Sequence, residues 1–171
     1  MLVDSTSKNM HIMKIVRSLV ASAVFISVSG VVIHVGAMFA GLSWFTFFNA
    51  PSSVVESYKS GTWLAPLSCL VISSLMGACA YWAASPLGWV RRPPLQRPGL
   101  AAMSTVCLVR ALLLPALAIS HPELRNAFEI VAALVWGLAG IGFAFAFTLA
   151  KTQHEDTSEL ISRASVKLFG S

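Results

Sequence analysis

Residues 100–119 read LAAMSTVCLVRALLLPALAI. An apolar run of this length forms a helix of about 30 Å, enough to cross the hydrocarbon core of a bilayer. Arg110 lies near its middle and is the only charged residue in it. Three further stretches have the same character: residues 15–39, 63–85 and 128–150. The pattern therefore predicts an all-α integral membrane protein, an antiparallel bundle of four transmembrane helices forming a single domain over residues 1–171.

Composition agrees. Of 171 residues, 56% are hydrophobic and 11% charged, with a mean hydropathy of +0.75. A soluble domain averages about 25% charged. Once four spans are set aside, no remaining segment is long enough for a second domain. The first span is too long for a signal-peptide core and has no small-residue cleavage site at a suitable distance, so it reads as a retained anchor.

The net charge of +5 does not mark a nucleic-acid surface, because the basic residues sit at span ends. Lys8, Lys14, Arg17, Arg91, Arg92, Arg97, Lys151, Arg163 and Lys167 fall on one side of a four-span chain, with only Lys59 and Arg125 on the other. The bias predicts that both termini, including the 151–171 tail, and the loop before the third span are cytoplasmic. The expected location is a plasma membrane, in a bacterium the inner one. Trp44 and Trp63 then flank the outer interface, and Trp82 and Trp89 the inner.

Two loops and the tail have their own signatures. The segment from Pro86 to Gly99 holds Pro86, Pro93, Pro94 and Pro98 among its arginines. It reads as a stiff basic turn touching anionic lipid, with an anionic-ligand site as the alternative. The first outer loop, GLSWFTFFNAPSSVVESYKSGTW, is too apolar for free solution. It predicts a short interfacial helix with Pro51 at its first position and Val54, Val55 and Tyr58 on one face, or else continuation of the first helix through Phe48. In the tail, Leu160, Ile161, Ala164 and Leu168 recur at helical spacing and predict a short amphipathic helix on the inner leaflet, with a frayed tail as the alternative.

Small residues permit close helix packing where lipid supplies no hydrophobic drive. The fourth span offers Ala133, Gly137, Gly140 and Ala144; the second, Ser73, Gly77, Ala80 and Ala84; the first, Gly30, Ala37 and Gly41, with His34 on the same face. Phe143, Phe145 and Phe147 are expected to face lipid in part.

Arg110 is the leading candidate, either a structural anchor that hydrogen-bonds serines and backbone carbonyls or a substrate or anion site, since a cation at mid-membrane must find polar partners. It is expected to face inward, toward Ser73, Ser74 and Glu129. His34 joins them as a tentative binding residue; a lone span histidine is more often a hydrogen-bonded packing residue. Pro122 is expected to start the fourth helix, which places Glu129 more than a turn inside. Cys69, Cys79 and Cys107 lie within spans and read as packing residues. No catalytic constellation, metal site or cofactor motif is present. The predicted partners are the lipid bilayer and other membrane proteins or a second copy. The first functional expectation is a non-enzymatic accessory or assembly protein. The alternatives are an oligomeric small-solute or ion carrier using Arg110 and, last, an outer-leaflet lipid-modifying enzyme built on Glu56 and His34.

Overall fold

The computed structural model describes residues 2–120 and 126–169. Its elements are α1 (Leu2–Ala40), α2 (Leu42–Phe47), α3 (Ser52–Lys59), α4 (Leu64–Ala84), a 3-10 turn (Ser85–Leu87), α5 (Gln96–Ser120) and α6 (Ala127–Phe169). Among the described residues there is no strand. Four helical segments are long and apolar enough to cross a membrane: Ser7–Ala40, Leu64–Leu87, Gln96–Ile119 and Ala127–Ser162. Each covers nearly all of one expected span.

The ends of the helices follow from local chemistry. Gly41, with φ 87° and ψ −175°, stops α1 in a conformation open to little besides glycine. The first helix therefore does not run on through Phe48, and α2 begins at once. Pro51 sits one position earlier than the sequence suggests: its ψ of 144° is extended, so it precedes α3 rather than opening it. Pro98 is the third residue of α5, in the first turn, where a missing N–H costs nothing. This lets α5 begin ahead of Leu100. Residues 151–169 contain neither glycine nor proline, so α6 passes into the tail without a break and no separate tail helix forms.

The chain divides into two compact units, residues 1–24 with 81–171, and residues 25–80. In the first, α5 and α6 run antiparallel. A Cβ on Gly137 would lie 3.6 Å from the Ala111 Cβ, and one on Gly140 would lie 2.8 Å from the Leu108 Cγ. The buried Ser104 hydroxyl donates to the Gly140 carbonyl at 2.9 Å. The amino half of α1 lies closer still to α6: a Cβ on Gly142 would come within 2.5 Å of the Leu19 carbonyl oxygen and 2.7 Å of the Ala23 Cβ. Val20, Ala23, Leu100, Phe143 and Ala146 form its interior. Phe143 is thus a core residue and not a lipid-facing one. It shares a helical face with the buried Ala139, Ala146 and Ala150, a face the fourth-span stripe through Gly137 and Gly140 does not include.

In the second unit, the carboxyl half of α1 packs on α4. Gly77 leaves room for Val31, and Gly30 makes way for the thioether of Met76. Above this contact, Ala37, Phe45, Ala65 and Cys69 form a small core, against which Met38, Trp44, Val54, Val55 and Tyr58 pack. The apolar face of α3, expected at the interface, is therefore half-buried against protein. Ser57, buried on α3, ties it to α4: its Oγ accepts from the Ala65 N–H at 3.0 Å and meets the Thr62 hydroxyl at 2.6 Å.

Candidate functional site

Arg110 and Glu129 belong to the first unit, on its two closely packed helices. Arg110 lies on α5, in the stripe Val106, Arg110, Leu113, Leu117, whose spacing of four, three and four residues keeps it on one side of the helix. All four residues are exposed. Glu129 lies in the first turn of α6, where its backbone N–H donates to Asn126 Oδ1 at 2.9 Å. Asn126 is thus the N-cap of α6 and Glu129 its third helical residue, a position that favours an acidic side chain. The helix begins five residues later than a start at Pro122 would give, so Glu129 is not deep within it.

The Arg110 Nη2 approaches Glu129 Oε2 to 3.6 Å. The two side chains differ in surroundings: that of Glu129 is 9% exposed and that of Arg110 is 46% exposed. Among the described residues, Glu129 is the polar partner of Arg110. The Glu129 side chain is enclosed, while nearly half of the Arg110 side-chain surface is exposed. This differs from an inward-facing arginine, and the reason lies in the stripe: α5 turns Arg110 to the same side as Val106 and Leu113, while Leu100, Ser104, Cys107 and Leu114 take the buried side.

His34, Ser73 and Ser74 belong to the second unit. The His34 Nδ1 is 2.8 Å from the Gly30 carbonyl, one turn back on α1. The buried Ser73 donates to the Leu70 carbonyl at 3.0 Å, and Ser74 is exposed. His34 and Ser73 thus engage backbone oxygens of their own helices, as polar groups commonly do in apolar segments. Gly77, Gly137 and Gly140 sit at helix contacts, and Ala133 is half-buried. Glu123 and Arg125, with His121 and Pro122, lie outside the described residues.

Two features were not found by sequence reasoning. One is the Asn126 cap; its signal was the three-residue spacing from Asn126 to Glu129. The other is the polar junction between α4 and α5, where Arg17 donates to the Leu87 carbonyl at 3.3 Å and Gln153 to the Pro86 carbonyl at 3.0 Å. A cavity of about 230 Å³ in the second unit is lined by Met38, Phe45, Tyr58, Gly61, Thr62 and Pro66, none of them charged.

The chemistry open to the Arg110–Glu129 pair is narrow. A guanidinium does not give up its proton near neutrality, so it binds oxygen acceptors but does not serve as a general acid or base. Among the described residues, no three His, Cys, Asp or Glu side chains converge as a metal site. No family model matches the chain, and neither a curated protein nor a solved structure matches it.

Proposed function

We propose that this chain is an integral membrane protein of four antiparallel spans, with both termini in the cytoplasm, and that it acts without catalysis by holding a membrane partner. The partner is a transmembrane helix seated on the α5 face that Arg110 centres. One observation carries this reading: the Arg110 side chain is nearly half exposed within an otherwise apolar, exposed stripe. Hydrocarbon accepts no hydrogen bonds, so a cation facing it is costly. A partner oxygen, whether carboxylate, amide or carbonyl, would satisfy the donors that Glu129 leaves unused. A two-fold copy joined through the same stripe would set guanidinium against guanidinium, so a different protein fits better than a second copy.

A photo-crosslinking residue in place of Leu113 tests this in native membranes. The expected result is a discrete protein adduct that disappears when Arg110→Leu is added, while the same group in place of Val32, an exposed α1 residue, captures lipid alone. Lipid adducts alone at Leu113, or a protein adduct indifferent to Arg110→Leu, would refute the reading.

A further inference from the structure

The segment Ser85–Gly99, SPLGWVRRPPLQRPG, joins α4 to α5 and contains three arginines and no carboxylate. Two of its carbonyls are already engaged. Arg17 uses the Leu87 carbonyl at 3.3 Å, and Gln153 uses the Pro86 carbonyl at 3.0 Å. Arg92 reaches the Gln153 Oε1 at 3.4 Å. The Arg97 guanidinium sits 5.7 Å over the Phe147 ring, a cation–π distance, and Arg97 is exposed. Arg91 is exposed. Three more polar atoms at the same junction, Trp82 Nε1, Ser85 Oγ and Gln96 Nε2, are enclosed without a partner in the protein. The segment therefore carries surplus positive charge on three exposed arginines, and its complement is an anion.

Two apolar side chains mark where that anion resides. Trp89 is 55% exposed and Leu95 is 76% exposed, both within the arginine segment. Leu95 has φ 54°, a backbone conformation disfavoured for any side chain beyond glycine. The loop thus presents a bare leucine at the cost of local strain, and such outliers collect at binding surfaces. A soluble phosphate has no use for these two groups. A phospholipid has: indole settles at head-group level and an alkyl side chain among the acyl chains, beside arginines at the phosphate.

We propose that the Ser85–Gly99 segment is a binding site for an anionic phospholipid, in which Arg91, Arg92 and Arg97 hold the phosphodiester and head group while Trp89 and Leu95 seat in the leaflet beside it. The proposal rests on the reading that α4 and α5 span a bilayer, and it is independent of the Arg110 partner.

The full chain, purified in a neutral detergent, is melted with added phosphatidylglycerol, phosphatidylcholine or inorganic phosphate. Phosphatidylglycerol is expected to raise the Tm by several degrees, as a ligand of the folded state does. Phosphatidylcholine and inorganic phosphate at the same concentration are expected to leave it unchanged, and Arg91→Gln with Arg92→Gln and Arg97→Gln to remove the shift. If that triple variant does not fold, Arg91→Gln alone and Trp89→Ser with Leu95→Ser provide the comparison, each lowering the shift to less than half. Equal shifts with both lipids, or a shift that survives the substitutions, would overturn the site. A matching shift with phosphate alone would assign it to a free anion and overturn the lipid. Alkaline carbonate washing of the native membrane separates the two levels: release of the chain defeats the spanning reading, whereas retention without a phosphatidylglycerol shift defeats the site alone.

Discussion

Arg110 on α5 and Glu129 on α6 meet at 3.6 Å across a helix register that sets them well apart. The contacts that oppose Ala111 to Gly137 and Leu108 to Gly140 would place Glu129 level with Ile119. That is nine residues beyond Arg110, or roughly 13 Å of helical rise. Helical side chains lean toward their own amino terminus, so each partner leans away from the other by default. Contact therefore takes both side chains extended along the groove, and the ion pair is maintained against the local preference of both helices.

The pair should couple in a double-substitution cycle. Arg110→Leu takes the cation from a buried carboxylate and Glu129→Leu takes the carboxylate from a half-exposed arginine, each at a cost of about 1 kcal/mol in detergent. The double variant, Arg110→Leu with Glu129→Leu, removes both charges and is expected to cost less than the sum, because an apolar pair often substitutes for a buried ionic one. Thermal melting of the four proteins decides this, and strict additivity would show that the 3.6 Å approach carries no energy.

The glycines of α6 should rank by what their missing Cβ would meet. Gly142→Ala faces a backbone carbonyl at 2.5 Å, which gives way only if α1 moves, and is expected to cost about 1–3 kcal/mol. Gly140→Ala meets the Leu108 side chain at 2.8 Å, ahead of its backbone nitrogen at 3.1 Å, and should cost less. Gly137→Ala makes an ordinary 3.6 Å contact, and its gain in helix propensity makes it neutral or stabilising by up to about 1 kcal/mol. Phe143→Leu should be worse than Phe145→Leu. A melting series in which Gly137→Ala is the worst would mean that the tightest approach of α6 is to α5 at Ala111 and not to α1 at Leu19.

The long helices were legible because lipid-scale apolar runs and the absence of internal breakers are local properties, visible at residues 15–39 or 100–119 without any partner. Arg110 was legible for the same reason, as one charge in such a run. Its direction was not: which side of α5 is buried depends on where Gly140 and Leu108 meet, a contact between segments over 30 residues apart. Gly142 and Phe143 escaped likewise. A stripe of small residues tells that a face is smooth but not which helix meets it, and α6 uses two faces at once. The Asn126–Glu129 spacing was present in the sequence, but the stronger start signal of Pro122 drew the helix boundary upstream.

Ser57 shows how a distant side chain completes a helix start. The Ala65 N–H lies in the first turn of α4, where no carbonyl of the same helix is available, and the Ser57 Oγ accepts it at 3.0 Å in a buried setting. Ser57→Ala leaves that donor and the Thr62 hydroxyl without this partner, at an expected cost of about 1–2 kcal/mol. Amide hydrogen exchange at Ala65 should quicken while that at Cys107, in the other unit, stays unchanged. Unchanged exchange at Ala65 would show that the capping bond contributes nothing.

Orientation can be read by labelling two exposed positions. The bias of nine basic residues to two predicts, by the positive-inside rule, that the 41–63 segment is outside and the 85–99 segment inside. Cys69 and Cys107 are buried and Cys79 is half-buried, so background reaction with a membrane-impermeant maleimide is low and is removed by replacing all three. Ser60→Cys, at the carboxyl end of α3, is expected to react in intact cells. Pro94→Cys, among the arginines, is expected to react only after permeabilisation. The basic side chains named here lie close to span ends, where the rule has its force, and the acidic residues scarcely enter it. The reverse pattern would invert the chain and move the proposed phospholipid site to the other leaflet. Labelling of both positions in intact cells would mean that the chain inserts in two orientations.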